Sequence, residues 1–261
     1  MHLTVLASGS EGNSTLVRAG ETTLLVDAGL GRREMQERLD AARVARGALQ
    51  HVLVTHGHLD HARSVGILAK RDQATLHAPE NILRHPAARR APRLAAITID
   101  RPFEITSLFR TDMVRVTPVG LPHDCDPTVA YRIEHDGRTA VILTDMGAPS
   151  RTVAERLRGA HVLVLEFNYD PGLMASGPYP PVLQRRITGD RGHLSNAQAA
   201  QMLEWLAGPE LHTLVLAHLS QKTNRPELAR EVAMTTLERL GLAHVRVLVA
   251  EQHAIGESLA V

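Results

Sequence analysis

The sequence predicts an α/β fold of two mixed β-sheets with helices on the outside. Two features of the 261-residue chain carry that expectation. The first half is rich in short β-branched and apolar runs joined by hairpin-type turns, and the second half alternates apolar runs with helical periodicities. Such halves suit two sheets packed together, with their other faces buried under helices. The length fits one domain, taken here as 1–261.

Taken in order, residues 1–7 alternate as a first strand and run into Ser8-Gly9-Ser10-Glu11-Gly12-Asn13-Ser14. Gly-rich turns can cradle phosphate through backbone N–H groups, but this one lacks the Lys-Ser/Thr of a P-loop and reads as a hairpin loop. Residues 15–18 and 22–26 pair as a hairpin ending at Asp27-Ala28-Gly29, and 31–44 carry a helical stripe of Met35, Leu39 and Val44. A buried strand at 51–55 leads to a helical pattern over 62–70, then a short strand at 74–77 and a basic region, 84–93. Strands follow at 97–100 and 113–118, and Asp136-Gly137 joins 129–135 to 139–144 as a hairpin. Thereafter helices at 150–158, 195–206 and 226–240 alternate with strands at 161–166, 213–217 and 245–249. Ser195-Asn196-Ala197-Gln198 is a capping box that starts its helix. Residues 171–181, rich in Pro and Gly, read as a mobile loop.

Composition narrows the function classes. Hydrophobic residues make up 44%, enough for a sizeable core, and no apolar run reaches the roughly eighteen residues of a membrane span. The N-terminus lacks a basic n-region and reads as a strand, not a signal peptide. A single cysteine, Cys125, excludes an internal disulfide and fits a reducing cytoplasm, the expected location. The formal net charge of +1 advertises no nucleic acid, so any such partner needs a local basic patch. Region 84–93 offers one, although a charge run is also what a solvated face looks like.

The chemistry concentrates in Val54-Thr55-His56-Gly57-His58-Leu59-Asp60-His61. His56 and His58, two apart on an extended segment, point to one side, while Asp60 and His61 follow as the chain bends toward the helix. A strand end thus offers two imidazoles to one cation and a carboxylate plus an imidazole to a second, a set that suits zinc or manganese. Three further strand ends carry ligand types: His123 in Leu-Pro-His-Asp-Cys, Asp145 in Leu-Thr-Asp-Met-Gly and His218 in Ala-His-Leu-Ser. Singly, each reads as a surface or turn residue; together they complete two coordination spheres.

This pattern of His-x-His-x-Asp-His followed by His, Asp and His at successive strand ends resembles the metallo-β-lactamase superfamily. The resemblance covers nearly the whole chain and implies a four-layer αββα sandwich. More narrowly, Leu6-Ala-Ser-Gly-Ser-Glu-Gly-Asn-Ser14, Pro122-His123-Asp124, Thr144-Asp145-Met-Gly147, Glu166-Phe-Asn-Tyr-Asp170, Gly192-His-Leu-Ser-Asn196 and His218-Leu-Ser220 resemble the YycJ (WalJ) branch, associated with 5′→3′ exonuclease activity on DNA. Two positions depart from that branch: Cys125 replaces a small residue, and Thr223 replaces the first of two paired asparagines, leaving Asn224.

By that resemblance, His56, His58 and His123 bind one divalent ion, Asp60, His61 and His218 a second, and Asp145 bridges them; zinc or manganese is expected, and iron is acceptable. Asp60 also orients the nucleophile. Glu166 and His193 fit neither sphere. In the similar tRNA 3′-processing enzymes a Glu-and-His pair assists the leaving group, which implies that His193 protonates the departing oxygen or grips the phosphate while Glu166 holds its tautomer. Arg185, Arg186 and Arg191, just before His193, are candidate phosphate contacts, as are Ser8, Ser10 and Asn13 in the first turn and Ser220 and Asn224 after His218. Aromatic residues make only 3% of the chain, so DNA should be held by its backbone and not by a stacking groove.

The leading expectation is therefore a dinuclear metal-dependent phosphodiesterase acting as a DNA exonuclease. A small-molecule esterase, lactonase or cyclic phosphodiesterase would use the same metal core. A non-catalytic binding protein on this fold is disfavoured by the full set of seven ligands, and a β-lactamase by the absence of an export signal.

Overall fold

The computed structural model describes residues 1–106 and 112–261. Among these, one seven-stranded sheet contains β1 (His2–Ala7), β2 (Ser14–Ala19), β3 (Thr22–Val26), β4 (His51–Leu53), β5 (Thr75–Ala78), β6 (Arg93–Ala96) and β14 (Leu259–Ala260), in the order β14-β1-β2-β3-β4-β5-β6. Its first four members pair antiparallel, and β3 to β6 pair parallel. A second seven-stranded sheet holds β7 (Phe103–Thr106), β8 (Met113–Leu121), β9 (Thr128–His135), β10 (Arg138–Leu143), β11 (Val162–Glu166), β12 (Thr213–Ala217) and β13 (Arg246–Val249), adjacent in chain order. Here β7 and β8 are antiparallel, and β10 to β13 are parallel, with Val162 opposite Thr213. Both sheets are mixed, as expected.

The chain divides into two compact units, the first comprising 1–118, 133–138 and 251–261 and the second 119–132 and 139–250. In the first unit, helices α1 (Arg32–Ala41) and α3 (Val65–Asp72) lay Met35, Leu39 and Leu68 onto a core containing Leu6, Leu25 and Val52. In the second, α5 (Arg151–Leu157), α8 (Asn196–Leu206) and α9 (Pro226–Arg239) bury Leu157, Leu203 and Leu237 against Leu143, Leu165 and Leu216. The capping box at the start of α8 is formed: the Ser195 side chain accepts from the Gln198 N–H, and the Gln198 side chain accepts from the Ser195 N–H.

Four expectations need correction. First, the helical pattern assigned to 62–70 is two helices, α2 (Leu59–Ala62) and α3, because Ser64 is tethered by its N–H to the Ala28 carbonyl and by its hydroxyl to the Leu30 carbonyl. Second, the helix over 31–44 stops at Ala41, and Arg43 takes a left-handed backbone, φ 57°. Third, the strand assigned to 97–100 lies earlier, at β6; Ile97 donates to the Ala78 carbonyl and a turn with Asp100 at φ 64° follows. Fourth, residues 171–181 hold the helix α6 (Pro171–Ser176) and the start of α7 (Pro181–Thr188). Proline at the first helical position starts each of them, since the missing N–H has no intrahelical partner there, and Asp170 Oδ1 caps α6 by accepting from Leu173 N–H at 2.9 Å. The short α4 (Glu80–Leu83), β7 and β14 were not among the expected elements. No helix of the described residues is long and apolar enough to cross a membrane.

Candidate active site

In the first unit, β4 stops at Leu53 and the ligand stretch crosses a tight turn to His58, the N-cap of α2. His56 and His58 therefore meet across Gly57 and not on one face of a strand. His56 Nε2 lies 3.1 Å from His58 Nδ1, close to the roughly 3.3 Å between two nitrogens of a tetrahedral ion with bonds of about 2.0–2.1 Å. The donor pair thus fits a bound cation. The His61 ring centroid is 4.1 Å from that of His56, and His61 Nε2 is 3.5 Å from Asp60 Oδ2.

A residue that sequence reasoning passed over holds this group in place. Asp27, buried at the end of β3, accepts from Thr55 N–H at 2.8 Å and from the Thr55 hydroxyl at 2.7 Å, and its Oδ2 lies 2.8 Å from His61 Nδ1. A carboxylate on Nδ1 fixes the tautomer and turns Nε2 toward the donor set. Its only sequence signal was an acid directly after an apolar strand. Gly29 is required nearby, because a Cβ there would stand 1.6 Å from the Asp60 carbonyl oxygen. Asn13 ties the first turn to the same place: its N–H donates to the Asp60 carbonyl at 2.7 Å, and its Nδ2 sits 2.9 Å from His61 Nε2.

In the second unit the donors come from separate strand ends. His123 lies two residues past β8, Asp145 two past β10, His218 directly after β12, and Glu166 closes β11. Asp145, Glu166, His193 and His218 each bring a donor atom within 4.8 Å of the others. Asp145 and His218 both adopt left-handed backbones, φ 62° and 54°, as does Asp27 at 61°. Asp and His tolerate this region better than most residues, and such outliers cluster at functional sites.

Glu166 is the hub. Fully buried, it accepts from Met146 N–H at 2.9 Å and Leu194 N–H at 3.3 Å through Oε2, while Oε1 lies 2.7 Å from His193 Nδ1 and 3.4 Å from His218 Nδ1. One carboxylate thus faces Nδ1 of two imidazoles, leaving each Nε2 pointing away from it. Burial alone would raise its pKa, but the His193 charge and the hydrogen bonds of His193 and His218 outweigh that and hold it below the usual carboxylate range. His123 is oriented separately: Nδ1 is 2.9 Å from the Gly192 carbonyl oxygen. Gly192 packs so tightly that a Cβ would come within 2.1 Å of the Ile187 carbonyl.

The candidate substrate contacts divide. Arg185, Arg186 and Arg191 are exposed; Arg186 pairs with Asp124 at 2.6 Å, and Arg191 Nε donates to the His123 carbonyl at 2.8 Å. Ser10 is exposed and Ser8 is buried. Ser220 Oγ accepts from the Thr223 hydroxyl at 2.9 Å, and Asn224 Nδ2 donates to the Phe167 carbonyl at 2.8 Å and the Asn196 side chain at 2.9 Å. Those bonds engage both residues in bracing loops of the protein itself. Cys125 is a partly exposed free thiol.

Mixed sheets whose strand ends carry imidazoles and carboxylates, with buried Asp27 and Glu166 behind His61, His193 and His218, define a metal-dependent hydrolase. Residues 22–219 match the β-lactamase superfamily domain, and the chain belongs to that superfamily. It is similar to exodeoxyribonuclease YycJ of Bacillus anthracis, 32% identical with 92% of this chain and 90% of that one covered. Exodeoxyribonuclease WalJ of Streptococcus pneumoniae is also 32% identical, covering 93% and 89%. The crystal structure of the metallo-β-lactamase fold protein YhfI from Bacillus subtilis superimposes with a TM-score of 0.71 at 18% identity, over 98% of this chain and 99% of that one, a likeness of fold.

Proposed function

We propose that the protein is a dinuclear metal-dependent phosphodiesterase acting as a 5′→3′ DNA exonuclease. In this reading His56, His58 and His123 hold one divalent ion, Asp60, His61 and His218 hold the other, and Asp145 serves both. The observation that carries it is the Glu166–His193 pair, a fully buried carboxylate 2.7 Å from Nδ1 of an imidazole that stays 21% exposed. Cleaving a phosphodiester expels an alkoxide, a poor leaving group until protonated, and an imidazole so held is a proton donor facing outward. The nucleic-acid substrate is supported by relatives named exodeoxyribonucleases over about nine tenths of both chains. Exposed Arg185 and Arg191 near His193 support backbone contact.

Two divalent ions would supply neutralisation of the phosphate oxygens and a more acidic water. Zinc or manganese is proposed, with iron acceptable to the same nitrogen and oxygen donors. Asp60 orients the attacking water. Glu166 stabilises the doubly protonated His193, whose Nε2 proton passes to the departing oxygen. Action in the cytoplasm belongs to the same proposal, supported by the free thiol of Cys125.

The test is digestion of a duplex DNA labelled at one 5′ end with manganese or zinc present. Stepwise loss from that end is expected, absent in His58→Ala and slowed about 10²–10⁴-fold in His193→Ala. Intact DNA and RNA beside metal-dependent cleavage of a small phosphodiester or lactone would overturn the nuclease reading and leave the hydrolase.

A further inference from the structure

We infer that Tyr179 and Lys222 form a nucleobase-stacking subsite at the rim of the second unit's donor set, taking the terminal nucleotide of a single-stranded or frayed end. The inference rests on the nuclease reading. Aromatic side chains are scarce in this chain, and most of the described ones are committed elsewhere. Tyr131 and Phe167 are fully buried, Tyr169 nearly so, Trp205 packs against the core with the Arg151 guanidinium over it and Phe103 stacks on His77. Tyr179 is half-buried, and its hydroxyl is 3.5 Å from Ser220 Oγ, two residues beyond His218.

The ring is held on a stiff stem. Pro178 and Pro180 flank it, the Gln184 side chain donates to its carbonyl at 2.9 Å, and Gly177 packs close to the Thr223 methyl. Ser220 Oγ also accepts from the N–H groups of Lys222 and Thr223, at 3.4 and 3.2 Å, which fixes the turn carrying Lys222. That turn sets the Lys222 ammonium over the Tyr179 ring, 5.6 Å from its centroid. A ring covered only by an exposed, flexible ammonium matches one nucleotide: an incoming base displaces the lysine from the face and stacks on the ring, and the lysine turns to its phosphate. Little side-chain freedom is lost on binding, because the ring is already in place.

The experiment uses the manganese-loaded protein and a phosphorothioate-protected single-stranded oligonucleotide with 2-aminopurine at its 5′ terminus. Binding is expected to quench the fluorescence of that base. Tyr179→Ala should abolish the quench and raise KM for the unprotected oligonucleotide roughly tenfold with kcat within about twofold, while Tyr179→Phe retains the quench. Lys222→Ala should lower the slope of log affinity against log salt by about 0.7. Wild-type digestion of DNA without quenching, or a Tyr179→Ala protein that quenches and binds as the wild type does, overturns the subsite alone. A wild-type protein that neither binds nor digests DNA but cleaves bis(p-nitrophenyl) phosphate overturns the nuclease reading and the subsite with it.

Discussion

In the first unit four ligand-type side chains arrive within residues 56–61, and Asp27, itself fixed by Thr55, braces His61 alone among the described imidazoles by direct contact. In the second unit the donors are gathered from His123 to His218, and one buried carboxylate, Glu166, stands behind both His193 and His218. The same second-sphere chemistry is thus wired in two ways. A brace that touches one candidate ligand should, when lost, weaken metal binding and little else. A hub serves a candidate ligand and the proposed proton donor together, so its loss should reach metal affinity and proton transfer at once.

The largest effect should come from Glu166→Gln. Turnover is expected to fall about 10²–10⁴-fold even at saturating metal, because His193 loses the negative charge that stabilises its protonated form. Metal titration and kcat measured on the same preparation check this; near-normal turnover at full metal occupancy would dissolve the contrast between the units. Asp27→Asn should be milder, weakening metal affinity about 10–100-fold with turnover restored when metal is raised. A competitive chelator titration reads the affinity, and a kcat defect that persists at saturation would make Asp27 a second hub.

A smaller effect sharpens the comparison away from the donor sets. His51 and His77 touch, Nδ1 to Nε2, at 3.0 Å. Burial, reinforced by Arg93 for His51 and by His51 for His77, lowers their pKa values to about 4 and about 3. Both stay neutral in the folded chain while an unfolded chain protonates near pH 6.5. Stability from this pair is therefore complete above about pH 6.5 and declines as the pH falls toward 4. The loss by pH 5 should be on the order of 4 kcal/mol for the pair, roughly 2 from each imidazole. Urea midpoints of metal-free protein at pH 7 and pH 5 should differ more for wild type than for His51→Gln/His77→Phe; equal differences would assign the acid sensitivity to other groups.

What could be read from the sequence follows from how local each determinant is. The ligand stretch was legible because its residue types and spacing sit in one continuous segment. His123, Asp145 and His218 were legible because each follows an apolar run whose end marks a sheet edge. The capping box of α8 and the hairpin turn at Asp136-Gly137 were legible for the same reason, since turn and cap chemistry acts over three or four residues. The prolines at 171 and 181 misled because proline breaks a helix interior but starts a helix at its first position, and composition does not say which.

By itself, then, the sequence determined the mixed-sheet class, the superfamily motif and the identity of the metal-ligand candidates, all encoded in short-range pattern. The tertiary structure decided which carboxylates brace which imidazoles: Asp27 behind His61, 34 residues away, and Glu166 behind His193, 27 residues away. Those pairings depend on strand register and on buried charge finding its partners, and no local pattern records either.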